Sequence, residues 1–253
     1  MNIVFDIGGT NMRIATAQGA TLGEVRKVPT PKDPTEAINL FVTTARELSG
    51  GAIEKIVGDV PGSIDAEGRL YDIGNLPHWQ GREIGKDLSH ELGAPAHIFN
   101  DCILVGFGEA REGAGKGFPV VAYITVSTGV GGAKIDGNAL SKSSLLADFV
   151  DLKRRLNEEI SGNAVKKKFG IEPKALASIP ERNKLADILA EGLRDVAEMW
   201  KPDVFVLGGS MIVGVNPIPL ERVREKFSAV PVKMAALKDN GGLIGAAILL
   251  QHL

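Results

Sequence analysis

Cysteine is all but missing. Cys102 is the only one in 253 residues, which excludes an internal disulfide and any cysteine cluster for a metal. Histidine is scarce too, and His78, His90, His97 and His252 never stand at a metal-ligand spacing, so each reads as a surface or internally satisfied ring. Positive charge is not in surplus. The 29 Lys and Arg against 31 Asp and Glu leave a net charge of −2 and no basic field for nucleic acid. No apolar run reaches the ~18 residues that cross a bilayer, and no basic segment precedes an apolar one at the N-terminus. There is no G-x-x-x-x-G-K-[ST], which excludes a P-loop, and no strand–G-x-G-x-x-G–helix to support a dinucleotide site. These absences lead to the expectation of a cytoplasmic protein with neither a nucleic-acid nor a membrane partner.

What is present is ordinary globular usage, 44% hydrophobic and 24% charged, in a chain long enough for one large domain or two modest ones. Strands are expected at 2–7, 11–18 and 22–29, then a helix at 34–49 with Ile38, Phe41, Val42, Ala45 and Leu48 at helical spacing. Strands at 53–62 and 94–100 follow, and a helix opens at 101–113. A second batch starts with strands at 118–126 and 130–137, then a helix at 183–200, a buried strand at 202–210 and an apolar helical end at 241–253. The alternation predicts an α/β architecture in segments 1–116, 117–240 and 241–253, divided near "GAGKG" (113–117).

Three glycine turns stand at strand ends: "DIGGT" (6–10), "STGVGG" (127–132) and "LGGS" (207–210). Glycine lets the backbone turn with positive φ and approach a ligand closely, and consecutive N–H groups there make a nest for an anion. Thr10 adds a hydroxyl donor, and Asp6 could hold a cation, directly or through water. A phosphate with its Mg²⁺ fits that mixture. A single such turn would pass as a hairpin, but three at strand ends are hard to explain that way. A flat base could slide over the third.

The motifs "DIGGTNMR" (6–13), "VPGSID" (60–65), "NLPHW" (75–79), "ND" (100–101), "STGVGG", "GGS" (208–210) and "LKDNGGLIGAA" (237–247) stand in the order found in ROK proteins. The chain resembles that family of bacterial sugar kinases and related repressors, in the actin, hexokinase and heat-shock-chaperone ATPase superfamily. The resemblance implies two ribonuclease-H-like lobes with ATP and a sugar in the cleft between them, and it admits a homodimer. It implies phosphates and Mg²⁺ at Asp6, Gly8, Gly9, Thr10 and Asn11, with Asp6 meeting the metal through water. Thr128 and Gly129 would take the second phosphate position, Gly208 and Gly209 would border the adenosine, and the C-terminal helix would pack back on the first lobe. Gly62, Asn75, Asn100 and Asp101 would meet the sugar. The family's repressors carry a helix-turn-helix ahead of the "DIGGT" strand, which begins here at residue 2, so DNA binding is not expected.

Asp101 is the expected general base of a hexose kinase. It falls at a strand-to-helix junction with Asn100 as a candidate cap, and the positive helix end is expected to keep it ionised. On local grounds alone it is a helix cap; the family order makes it the base. Leu76, Pro77 and Trp79 look like a wall of the sugar cleft, although a lone Trp is more often core. Arg13 could reach a phosphate or pair with a neighbouring acid.

The chain departs from the family after the second glycine turn. Family members carry a Glu-x-Gly-His segment, a cysteine-rich zinc loop and a Leu-Glu before a Ser-Gly helix start. Here residues 137–162 read "GNALSKSSLLADFVDLKRRLNEEISG", with no cysteine or histidine, so no structural zinc is expected. The alignment puts Asp148 at the family's sugar-binding glutamate, Asp151 near its histidine, and Asn157, beside Glu158, at the other glutamate. The span 145–160 also reads as an amphipathic helix with Leu146, Phe149, Val150, Leu152 and Leu156 inward. Losing these contacts predicts weak, permissive hexose binding. The competing reading is a non-catalytic sugar or nucleotide sensor.

Overall fold

A computed structural model describes residues 1–74, 76–136, 140 and 144–253. The chain divides into two compact units, Met1–Gly108 with Asp239–Leu253, and Glu109–Lys238.

In the first unit β1 (Asn2–Ile7), β2 (Asn11–Gln18) and β3 (Thr21–Pro29) form an antiparallel meander, followed by α1 (Pro34–Ser49). Asp33 caps α1 through the N–H groups of Thr35 and Glu36, and Gly50 ends it at φ 60°. Next come β4 (Lys55–Val60), the hairpin strands β5 (Ser63–Ile64) and β6 (Leu70–Tyr71), α2 (Ile84–Leu92), β7 (Ala96–Asn100) and α3 (Asp101–Glu112). The main sheet runs β3-β2-β1-β4-β7, with β4 and β7 added in parallel.

The second unit holds β8 (Val120–Val126), β9 (Val130–Asp136), β10 (Ser144–Leu145), α4 (Val150–Ile160), α5 (Gly162–Phe169) and α6 (Ile179–Trp200). Then follow β11 (Val204–Gly208), α7 (Ser210–Val213), α8 (Leu220–Lys226) and β12 (Val232–Met234). Its sheet runs β10-β9-β8-β11-β12, again a three-stranded meander extended by two parallel strands. The same topology therefore occurs twice, as two ribonuclease-H-like units. "DIGGT" joins the first two strands of one meander and "STGVGG" the first two of the other. "PG" at 61–62 follows the fourth strand of the first sheet, and "GG" at 208–209 closes the fourth strand of the second.

The last helix, α9 (Gly241–Leu249), folds with the first unit, buried on almost every side. The division expected at 116/117 lies at 108/109, inside α3. Glu109 explains this: its buried carboxylate accepts the N–H groups of Ala114 (2.8 Å) and Leu237 (2.8 Å), which commits the end of α3 to the second unit. The expected inward face of 145–160 is corrected at Val150, which is 68% exposed. Residues 146–148 form a 3₁₀ turn, which shifts the phase of the helix that follows. No helix among the described residues is long and apolar enough to cross a membrane.

Candidate active site

The first unit gathers charge in one row across its sheet. Asp6 on β1 is the register partner of Arg13 on β2 and of Asp59 on β4, so the three side chains share a face. Arg13 donates to Asp6 Oδ2 (2.9 Å) and to the exposed Asp239 (2.8 Å), an ion-pair bridge from the sheet face to the surface. Sequence reasoning missed Asp59, which stands in an apolar strand run just ahead of the "VPGSID" motif. It is wholly buried, and neither oxygen receives a donor among the described residues. Burial and the nearby charges of Asp6 and Asp101 push its pKa well above the carboxylate range. Burial also raises Asp6, but Arg13 opposes that, so Asp59 holds the proton of the pair. Glycine at 242 is what lets α9 close over the row, because a methyl there would overlap Asp59 Oδ2.

That arrangement has a consequence for stability. A carboxyl whose folded pKa is raised binds more protons in the native state, so stability falls as pH rises above the unfolded value of about 4. Asp59→Asn is therefore expected to stabilise the nucleotide-free protein at pH 7, the gain fading toward pH 4. Denaturant melts at several pH values measure it. A variant less stable than wild type at pH 7 would show that Asp59 is ionised and compensated.

The first glycine turn is a tight hairpin: Gly8 N–H donates to Asn11 O (2.9 Å), while Thr30 Oγ1 and Lys32 Nζ donate to the carbonyls of Gly8 (2.7 Å) and Gly9 (2.8 Å). Neither Gly8 nor Gly9 adopts positive φ, contrary to expectation. The turn needs small residues for close approach: a Cβ on Gly8 would sit 3.2 Å from Asn11 O.

Asp101 begins α3, partly buried at the end of β7. The Cys102 N–H donates to both Asn100 Oδ1 (2.9 Å) and Asp101 Oδ1 (2.8 Å). Asn100 Nδ2 donates to Gly62 O (2.5 Å), and Gly62 turns at φ 88° against Ile73 and Tyr71. Asn100 thus pins the Gly62 turn to the start of α3 through its amide, in addition to the sugar contact expected of it. The expectation that Asp101 keeps a low pKa is overturned. Burial, with help from the charge of Asp6, outweighs the Cys102 hydrogen bond and raises it to about 6. Trp79 and Leu76 are fully buried core residues, and Trp79 Nε1 donates to Lys32 O (3.2 Å), so neither is an exposed sugar wall. Asn75 lies outside the described residues.

The second unit brings its two glycine turns together. Ser127 and Ser210 share a hydroxyl hydrogen bond (3.0 Å). Gly209 turns at φ 87°, with Thr125 Oγ1 2.6 Å from where its Cβ would lie, and the Tyr123 hydroxyl stands 2.7 Å from the corresponding point on Gly208. These glycines are required first for packing β11 on β8. Thr128 and Gly129 are exposed at the tip, and Asn157 reaches the turn behind them. Of the other expected sugar contacts, Asp148 accepts the Leu145 N–H (2.9 Å), Asp151 pairs with Arg154 (2.7 Å), and Glu158 is exposed.

The profile of the ROK family matches residues 2–144, more than half of the chain. The chain belongs to the ROK family. Among its curated relatives, a polyphosphate glucokinase of Mycobacterium tuberculosis is 27% identical, over 96% of this chain and 88% of its own length. A glucokinase of Streptomyces coelicolor is 23% identical, over 100% of this chain and 98% of its own. Among solved structures, a ROK hexokinase from Thermus thermophilus superposes with a TM-score of 0.79 at 24% identity, covering 97% of this chain and 96% of that one. A ROK glucokinase from Streptomyces griseus, in complex with glucose and AMPPNP, gives 0.77 at 22% identity, covering 100% and 99%. The fold is thus the actin-like ATPase fold of the ROK sugar kinases.

Proposed function

We propose that this ROK protein transfers the γ-phosphoryl group of ATP to a hydroxyl of a hexose, with Asp101 as the general base. One observation carries the reading: a fixed carboxylate at a strand-to-helix junction, with Oδ1 held by Cys102 N–H and a pKa of about 6. A base poised just below neutral is ionised at working pH yet basic enough to accept a hydroxyl proton late in a loose transition state. The names of the curated relatives, glucokinase and polyphosphate glucokinase, support hexose as the acceptor. A non-catalytic sensor would use the same carboxylate only to hold sugar hydroxyls; the names of the curated relatives favour the kinase.

The residues divide the work. The N–H groups of Thr128 and Gly129 would face phosphate oxygens, and Gly208 with Gly209 would border the nucleoside. In the first unit Asp6 and the Gly8-Gly9-Thr10 turn would hold the transferred end. Mg²⁺ keeps most of its water and takes one or two carboxylates, so Asp6, partly neutralised by Arg13, suits contact through water. ATP and Mg²⁺, when bound, supply the phosphoryl group and neutralise its charge. Asp148 and Asp151 have local partners and Glu158 is exposed, so we expect permissive hexose selection.

A coupled assay of turnover over a panel of hexoses and N-acetylhexosamines, with ATP and with polyphosphate as donors, tests the reading. Clear ATP binding without turnover on any sugar would favour the sensor. We further expect Mg²⁺-dependent activity from a protein carrying no stoichiometric zinc, since residues 137–162 offer only carboxylates. Elemental analysis finding one zinc per chain would overturn that.

A further inference from the structure

We propose that Asn157 is a positioning residue for the Ser127–Val130 turn, and that its neutral amide suits a turn that receives an anion. The inference rests on the assignment of that turn to phosphate. It moves Asn157 from the sugar pocket, where the family alignment put it, to the nucleotide side.

The geometry is a clamp. Asn157 Oδ1 accepts the Val130 N–H at 2.6 Å and lies against Gly129, where a Cβ would be 3.2 Å from it. The Asn157 carbonyl accepts the Ser161 hydroxyl (2.6 Å), and Ser161 Oγ caps α5 through the Ala164 N–H (3.0 Å). The first two N–H groups of α5 are spent on the same turn, Gly162 on Ser127 O (2.7 Å) and Asn163 on Thr128 O (3.1 Å). Three backbone groups of the turn are thus tied to the α4–α5 junction from behind. The N–H groups of Thr128 and Gly129 are left without a partner among the described residues, at an exposed tip. Hydrogen bonds from the positive end of α5 to the turn's carbonyls polarise those free N–H groups, as linked hydrogen bonds do.

The clamp cannot drift. Leu156, immediately before Asn157, is 1% exposed and fills the space left by Gly192 on α6, where a Cβ would be 2.7 Å from Leu156 Cδ2. That locks the register of α4 behind the turn. An aspartate at 157 would accept the Val130 N–H equally well, but would set a negative charge beside N–H groups meant for phosphate. The choice of an amide over a carboxylate is therefore electrostatic, and it separates a positioning role from a merely structural one.

Two variants test it. Asn157→Asp keeps the acceptor and is expected to leave the melting temperature within about 2 °C and the sugar KM within about twofold of wild type. Its KM and dissociation constant for ATP should rise about tenfold, and the penalty should shrink with added salt. Asn157→Ala should raise the ATP constants as well and speed hydrogen exchange at the Val130 amide. Full ATP affinity in Asn157→Asp, or a rise in sugar KM with ATP constants unchanged, would overturn the proposal. Wild-type protein that binds neither ATP nor polyphosphate would sink the phosphate assignment and the electrostatic half of the proposal with it. The clamp itself is still decided by Val130 exchange: loss of protection in Asn157→Ala supports it, unchanged protection refutes it.

Discussion

Asp101→Asn is expected to lower turnover by ~10²–10⁴-fold while leaving ATP affinity nearly unchanged. The substitution keeps shape, and its Oδ1 still accepts the Cys102 N–H, so helix α3 starts as before. What disappears is the ability to take a proton. The wild-type pH profile gives the companion test. With the Asp101 pKa at about 6, kcat/KM should fall tenfold per pH unit below that value and level off above it. The sign for stability is opposite. The native state binds the extra proton between about pH 4 and 6, so Asp101 costs stability as pH rises through that window, and Asp101→Asn should be no less stable than wild type at pH 7. A variant that keeps the wild-type rate but melts several degrees lower would reduce Asp101 to a helix cap.

Gly245→Ala is expected to cost about 3 kcal/mol and lower the midpoint of thermal unfolding by roughly 6–12 °C. Gly245 sits where α9 crosses α3, and a methyl there would overlap the Leu104 carbonyl oxygen and come within 3.3 Å of the Gly108 nitrogen. These are backbone atoms of one helical turn, which cannot rotate away as a side-chain tip does. The helices must separate, loosening a contact that also carries Gly241 against Val105 and Gly242 against Asp59. Gly51→Ala is a fitting control, since no atom lies within 4 Å of its Cβ position and its φ is not positive. A Gly245→Ala midpoint within about 2 °C of wild type would show that α9 is free to shift on α3.

Much of this protein is written in local sequence. Strands β1, β2, β8 and β11 and helices α1 and α6 follow from hydrophobic period and caps, because the apolar pattern and the capping groups are carried by each element's own residues. The glycine turns and the Asn100-Asp101 junction are legible for the same reason, since backbone freedom and capping act over a few residues. Tertiary structure decided the rest. Asp59 became a proton-holding partner of Asp6 only because parallel pairing set β4 beside β1, a register no segment specifies alone. Asp101 was expected to be acidic from the helix end it can see in sequence, yet burial and the charge of Asp6 moved it the other way. Asn157, expected at the sugar from the family alignment, accepts the Val130 N–H because α4 packs behind the β8–β9 turn, 27 residues away along the chain. Charge and solvation depend on what lies across the fold, and one-dimensional spacing does not contain that.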